Sequence, residues 1–335
     1  MPKSSYHRRR DRSTTSSAEE VDAAVGALRS DNLSGSQAIT RRAAALVETW
    51  LAGASSGPRD PGTPDQARRD AELRLQDVAG ALIGAHPAMA PLYNLFESLL
   101  ECLDEGAPAG DARSRIRRTA AAFVDGMDQH NRAIAGRFRE ILDQDQAVFT
   151  HSAGSTVRAA LLHCWRAGRG LTVHCTESRP VAEGSALARD LAEQGIPTTL
   201  STDSLVFSLL RLTPRPLLVV GADAVTPDGI VNKAGTLGLA TAARSWDIPV
   251  YVLAGSEKFL RSAPPFFHQQ ERPPEEILPQ APAGLRVINR YFDLTPLDCV
   301  TGIVTERAVL TAAETTRELA GMKTRSRLRP GTGRV

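Results

Sequence analysis

The sequence predicts an α/β protein in two parts: an all-helical N-terminal segment, then a segment built on a parallel sheet covered on both faces. Three observations predict it. Before residue 146 apolar residues recur at helical spacing and no strand pattern is found. After 146, short apolar runs alternate with helical patterns through short connections, as in a parallel sheet covered on both faces. From Leu217 to Gly238 the chain then reads as strand, polar loop and helix start, and open α/β sheets bind ligands at the carboxyl ends of their strands.

In order along the chain, residues 1–17 are polar and poor in apolar side chains, the composition of a disordered tail. A helix is expected from Ala18 to Arg29, broken by Asn32-Leu33-Ser34-Gly35. Ser36 can cap the next helix, in which Ile39, Ala43, Val47, Trp50 and Leu51 share one face. Thr63-Pro64-Asp65-Gln66 has the form of a capping box with proline at the first helical position, and that helix ends near Gly84. Another runs from Ala88 to Leu103. A long one capped by Asp111 reaches Leu142, with Ile116, Ala120, Phe123, Val124 and Met127 on one face. Strands are expected at 147–150, 171–175, 197–202, 217–220 and 249–253, and helices at 155–167, 182–194, 204–212 and 236–246. The proline-rich stretch around 264–282 is too long for an ordinary connection and reads as an ordered functional loop or partner arm. Apolar segments at 291–294 and 301–304 and a helix at 312–320 close the chain. The expected division is a tail at 1–17, a helical domain at 18–145, a ligand-binding sheet domain at 146–320 and a basic tail at 321–335.

With 42% apolar and 23% charged residues the composition is that of a soluble globular protein. No apolar run approaches the roughly 18 residues of a membrane span, so no membrane partner is expected. Arg8, Arg9, Arg10 and Arg12 are followed by no apolar core, which excludes a secretory signal. Cys102, Cys164, Cys175 and Cys299 have no C-x-x-C spacing, which points to reduced thiols in the cytoplasm. His163-Cys164 and His174-Cys175 make no metal site on this reading, because one pair is helical and neighbours on a strand face opposite ways. The net charge of +2 hides an asymmetry. Residues 1–13 carry +4 and residues 323–335 carry +5, which leaves −7 for the body. Only the tails suit nucleic acid.

The chemistry-bearing residues gather at strand ends. Asp223 follows Leu217–Val220 directly, Asn232 and Lys233 return an amide and a cation to the same rim, and Gly235-Thr236 open a helix whose free N–H groups favour an anion. Thr150-His151-Ser152-Ala153-Gly154-Ser155-Thr156 is a small-residue turn between strand and helix, fit to approach a phosphate. Arg179 ends the next strand and is suited to bidentate phosphate recognition. Together these suit a small phosphorylated, polyhydroxylated ligand. Ser152 is in no G-x-S-x-G elbow, and no G-x-G-x-x-G follows a strand, so a hydrolase and a dinucleotide dehydrogenase are both disfavoured.

Thr150-His151-Ser152, Thr176-Glu177-Ser178-Arg179-Pro180, Gly195-Ile196-Pro197, Thr202-Asp203, Gly221-Ala222-Asp223, Asn232-Lys233 and Gly235-Thr236 together resemble one superfamily. It unites the regulatory subunits of translation initiation factor 2B with the isomerases of methylthioribose-1-phosphate and ribose-1,5-bisphosphate. Glu257-Lys258-Phe259 and Gln269-Gln270 look most like the initiation-factor branch, and Phe292-Asp293-Leu294-Thr295-Pro296 resembles both. The resemblance implies a helical domain and a Rossmann-like domain akin to ribose-5-phosphate isomerase and CoA-transferase domains. It also implies a homodimer through the C-terminal domain, a sugar-phosphate ligand, and no metal or nucleotide cofactor. In the isomerases a Cys after Thr-His and the Asp of Gly-Ala-Asp carry the proton transfers. Asp223 matches that Asp and Ser152 stands in the place of the Cys, so these two are the catalytic candidates. Asn232 and Lys233 would hold hydroxyls and developing charge, Gly154, Ser155 and Arg179 would hold phosphate, and His151 completes the substrate-binding set. Two departures accompany Ser152. His86 replaces a phosphate-binding Arg, and the interval from Asp223 to Asn232 is one residue shorter than usual. The alternative function is a non-catalytic regulatory or partner-binding protein like the initiation-factor subunits.

Overall fold

The computed structural model describes residues 12–53, 64–103, 112–262, 267–323 and 328. The caps expected at Thr63 and Asp111, the tail up to residue 11 and most of the basic C-terminal tail lie outside the described residues.

The N-terminal part is helical, as its apolar spacing requires: α1 (Arg12–Arg29), α2 (Ser36–Gly53), α3 (Pro64–Ala85), α4 (Ala90–Glu101) and α5 (Ala112–Ile141). No strand occurs before Gln146 among the described residues. On α2, Ile39, Ala43, Val47 and Leu51 are buried, and they pack with Leu82, Leu95, Phe96, Leu99 and Ile116 in one cluster. α1 begins at Arg12, so residues 12–17 are helical where a tail was expected. Nothing apolar marks that turn in the sequence. It extends outward from the packed turns carrying Val21, Val25 and Leu28. The 30-residue α5, about 45 Å long, joins the two parts. Ile116 and Ala120 belong to the helical core, while Ile134, Ala135 and Phe138 belong to the core on one face of the sheet.

The second part alternates β1 (Gln146–Thr150), α6 (Ser155–Arg166), β2 (Leu171–Thr176), α7 (Glu183–Glu193), β3 (Thr198–Ser201), α8 (Val206–Leu212) and β4 (Pro216–Val220). It continues with β5 (Ala224–Thr226), β6 (Gly229–Lys233), α9 (Thr236–Ser245), β7 (Val250–Leu253), β8 (Phe292–Thr295), β9 (Gly302–Val304), β10 (Val309–Leu310) and α10 (Ala312–Gly321). The main sheet has the order β10-β9-β7-β4-β1-β2-β3 and is parallel except for β10. One face packs Val148, Leu161, Val173 and Val219 against α5, α6 and α7; the other packs Phe149, Leu218, Val220 and Leu239. Both faces are covered, which is why these strands read as continuous apolar runs.

One element differs from the expectation. Asp223 to Asn232 is no irregular loop but a hairpin, in which β5 pairs antiparallel with β6, and β6 with β8. The turn is Thr226-Pro227-Asp228-Gly229, a Pro-Asp-Gly turn signal. The three residues of β5 were too few for an alternation to be read, and the five of β6 are buried throughout.

Candidate functional site

A cavity of about 70 Å³ lies where the carboxyl ends of β1, β4 and β6 meet the helical part. The sheet side contributes Ser152, Ala153, Glu183, Asp223 and Lys233; the helical side contributes Asp31–Gly35, His86 and Met89; Arg272, Tyr291 and Phe292 close it. A wider hollow of about 520 Å³ beside α10, lined by Leu310, Glu314, Arg317 and Glu318, is open to solvent and contains none of the strand-end residues. The smaller cavity holds the chemistry.

Asp223 is held at both backbone groups. Its N–H donates to Val231 O (2.8 Å), and its carbonyl accepts from Ala90 N–H of α4 (2.9 Å). Asp223 is half-buried as a residue, while its carboxyl lies deep in protein beside the cavity. Burial therefore raises its pKa above the usual carboxylate range, against the opposing pull of Lys258, a Ser36 hydrogen bond and Lys233; Glu183 adds to the rise. Lys258 is itself buried, at 3% exposure. Its backbone is placed by Asn94, whose amide donates to Glu257 O (2.7 Å) and Phe259 O (3.1 Å), and by the Leu260 N–H to Val225 O bond (2.9 Å) beside Asp223. The neighbouring Glu257 carboxylate is answered by His130 Nδ1 at 2.7 Å and Gln37 at 3.3 Å.

Ser152 has a left-handed backbone (φ 71°), a strained conformation for a serine that sites of function tolerate. A directed chain of hydrogen bonds holds it. Ser152 N–H donates to Ser178 Oγ (2.8 Å), Ser178 Oγ pairs with Thr176 Oγ1 (3.0 Å), and Thr176 Oγ1 pairs with His151 Nδ1 (2.6 Å). His151 Nε2 donates to Ala234 O (2.9 Å). Burial lowers the His151 pKa, so the ring is neutral and Nδ1 accepts. For the same reason its 3.9 Å approach to Asp203 is no ion pair. Gly235 is required beside it: its φ is +113°, and a Cβ there would lie 2.9 Å from His151 Nε2.

Lys233 is 6% exposed. Its ammonium lies 2.8 Å from Glu183 Oε1 and 4.7 Å from the Tyr291 ring centroid. The same Glu183 oxygen accepts from Ser152 Oγ at 2.8 Å, while Glu183 Oε2 is buried without a partner. On the opposite wall Arg272 donates to Asn32 Oδ1 (3.3 Å) and Ala85 O (3.2 Å), and it stacks over Tyr291 at 5.1 Å. His86 Nε2 bonds Leu28 O (2.7 Å), and burial lowers its pKa. It enters the cavity as a neutral group, not as a cation standing in for an arginine.

Of the candidates read from sequence, Ser152, Asp223 and Lys233 line the cavity together. His151 lies beneath it with both ring nitrogens engaged. Asn232 is buried, and its amide donates to Thr236 Oγ1 (3.0 Å), tying β6 to α9. Gly154, Ser155 and Arg179 are not brought to the lining. Ser155 Oγ donates to Gln37 Oε1 (2.9 Å), and Arg179 is exposed with its N–H on Asp203 (2.8 Å). The expectation of a free anion site at the start of α9 is corrected. Asp293 Oδ2 already accepts from Gly235 N–H (2.7 Å) and Leu237 N–H (3.1 Å), because β8 pairs Asp293 with Asn232. The loop that lines the cavity, Asp31–Gly35, leads into α2 at Ser36, and α7 begins at the lining residue Glu183.

Sequence reasoning missed Glu183, Arg272 and Tyr291. A glutamate opening a helix reads as an ordinary response to the helix dipole. Arg272-Pro273-Pro274 lies in a stretch without periodicity, and its placement comes from tertiary bonds alone. Tyr291 opens an expected apolar segment, just before β8. Its hydroxyl donates to the Glu276 carboxylate at 2.6 Å, which no local pattern encodes.

Residues 33–312 match the model of the Initiation factor 2 subunit family. The chain is 30% identical over 269 residues to a methylthioribose-1-phosphate isomerase of Rhodopirellula baltica, covering 74% of this chain and 76% of that one. It is 32% identical over 243 residues to a putative translation initiation factor eIF-2B subunit 2-like protein of Pyrococcus abyssi, covering 71% and 82%. The solved structure of the Pyrococcus horikoshii OT3 translation initiation factor eIF-2B matches with a TM-score of 0.74 at 27% identity, over 90% of this chain and 99% of that one.

Proposed function

The chain belongs to the Initiation factor 2 subunit family, and on that premise we propose that it binds a phosphorylated pentose and interconverts its aldose and ketose forms. The observation that carries this reading is Asp223, a carboxyl whose pKa burial raises, sharing one cavity with the Lys233–Glu183 pair. A carboxyl whose pKa is raised holds its proton more readily than a free one, and can exchange it with a sugar oxygen. Lys233 stabilises the negative charge that develops on the sugar. Arg272 holds the phosphate. Ser152 stands beside them, and His151 and Asn232 fix the backbone under the site.

At about 70 Å³ the cavity is tighter than the roughly 300 Å³ at which small-molecule pockets begin. Admission of a pentose therefore requires the 31–35 loop and the Arg272 segment to part, which exchanges the Arg272 bonds to Asn32 and Ala85 for bonds to the ligand. A homodimer through the C-terminal domain fits the exposed Leu200, Leu205 and Leu212 at the β3 edge of the sheet.

A second reading has an observation of its own. Ser152 stands where the isomerases have a thiol, and a serine hydroxyl is a far weaker acid than a thiol of pKa about 8.5. On that reading the cavity senses a sugar phosphate without turning it over. The deciding experiment follows ketose formation from ribose-1,5-bisphosphate and methylthioribose-1-phosphate by NMR, with the natural protein and Asp223→Asn. Turnover that Asp223→Asn abolishes supports the isomerase. Binding without turnover supports the sensor.

A further inference from the structure

We propose that Glu183 is the base of this site and takes the proton-transfer role for which the Ser152 hydroxyl is too weak. The proposal rests on reading the cavity as that of a sugar-phosphate isomerase.

The geometry singles out Glu183. It lines the cavity, and its Oε1 has two partners at 2.8 Å, Ser152 Oγ and Lys233 Nζ. Its Oε2 is buried and has none, which is costly unless a ligand uses it. The backbone is built to bring it there. Ala182 adopts a left-handed conformation (φ 61°), and a Cβ on Gly184 would lie 1.9 Å from Thr176 O, so α7 starts directly against the end of β2. Two carboxyls thus share one cavity in different environments. Glu183 Oε1 is in direct contact with the Lys233 ammonium, whereas desolvation of the Asp223 carboxyl outweighs the pull of Lys258 and Lys233 and raises its pKa. Such a pair divides into a base and an acid.

For a pentofuranose 1-phosphate the step balances without any further reactant. The C1–O bond of the ring breaks, and the ring oxygen takes the proton of Asp223. Glu183 takes the proton from C2, and the C2–H electron pair becomes the C1=C2 bond of an enol phosphate. On the return, Glu183 gives its proton to C1, and the C2 hydroxyl gives its proton to the Asp223 carboxylate as the C2 carbonyl forms. Both groups end as they began. Lys233 and Ser152 orient the carboxylate, so Ser152 is a positioning residue.

The test uses the full chain with ribose-1,5-bisphosphate, measuring kcat with ordinary and C2-deuterated substrate, and the dissociation constant by calorimetry. Glu183→Gln is expected to lower kcat by about 100-fold or more, the usual contribution of a positioned base, with the dissociation constant within about threefold. Glu183→Asp keeps the charge opposite Lys233 and folds where Glu183→Gln does not. Its carboxylate is withdrawn by one methylene, so kcat is expected to fall by about 30-fold or more. Ser152→Ala should lower kcat by less than about tenfold, because it removes only an orienting bond. A kcat within about threefold of the natural protein for Glu183→Gln or Glu183→Asp overturns the proposal. So does binding without turnover by the natural protein, which leaves ligand binding standing. Absence of binding by the natural protein overturns the underlying reading as well.

Discussion

Replacing Lys233 by methionine removes the ammonium and leaves Glu183 in place. The Glu183 side chain is 16% exposed and that of Lys233 is 8% exposed, at a separation of 2.8 Å. Breaking a buried pair from one side costs about 3–5 kcal/mol, because the remaining charge is left uncompensated. The cavity gives Glu183 some contact with solvent and Ser152 still donates to it, so the lower end, about 3 kcal/mol, is expected. Methionine keeps the contact with the Tyr291 ring, which limits the packing loss. Glu183→Gln in the same background should recover about 2 kcal/mol of that cost, a coupling of the size that double-mutant cycles find for residues in contact. Urea unfolding of the natural protein, both single variants and the double variant measures all terms. A cost for Lys233→Met below about 1 kcal/mol, with no coupling to Glu183→Gln, would show that the pair is solvated and that the electrostatic picture of the cavity is wrong.

Other consequences follow from the same geometry. Arg272→Met should raise the dissociation constant for ribose-1,5-bisphosphate by about 10–100-fold, the worth of charge-assisted hydrogen bonds to phosphate; unchanged affinity in calorimetry would take Arg272 out of the site. Asp293 supplies a pH dependence. Burial, partly offset by the Gly235 and Leu237 N–H groups, pushes its carboxyl up to about 6 from the ordinary aspartate value of about 3.9. The folded state therefore binds more protons than the unfolded state between those values. Its contribution to stability is complete below about pH 4 and declines by about 3 kcal/mol as pH rises through about 6. Asp293→Asn should remove that decline, so the difference in unfolding free energy between variant and natural protein should change between pH 4 and 7; a constant difference would contradict it.

The alternation of strands and helices after residue 146 was legible because strands buried on both faces must be apolar throughout. Helices such as α2 and α5 carry their buried face at regular spacing. Asp223 and Lys233 were legible as polar residues ending apolar runs. What stayed hidden depends on contacts distant in sequence. The β5–β6 hairpin was masked by the brevity of β5, although Pro227-Asp228-Gly229 marked its turn. The start of α9 read as an open anion site because the Asp293 that fills it lies far along the chain and arrives through β8. The 31–35 loop read only as a helix break, yet with His86 it forms a wall of the cavity. Local pattern shows where a loop is and not what it faces.

The most direct test of the account is calorimetric titration of the natural protein with ribose-1,5-bisphosphate and methylthioribose-1-phosphate, with inorganic phosphate and ribose as controls. Saturable binding of at least one sugar phosphate is expected, tighter than either control and lost in Lys233→Met. Absence of binding to both sugar phosphates, or equal affinity for inorganic phosphate alone, would contradict the assignment of this cavity to a phosphorylated pentose.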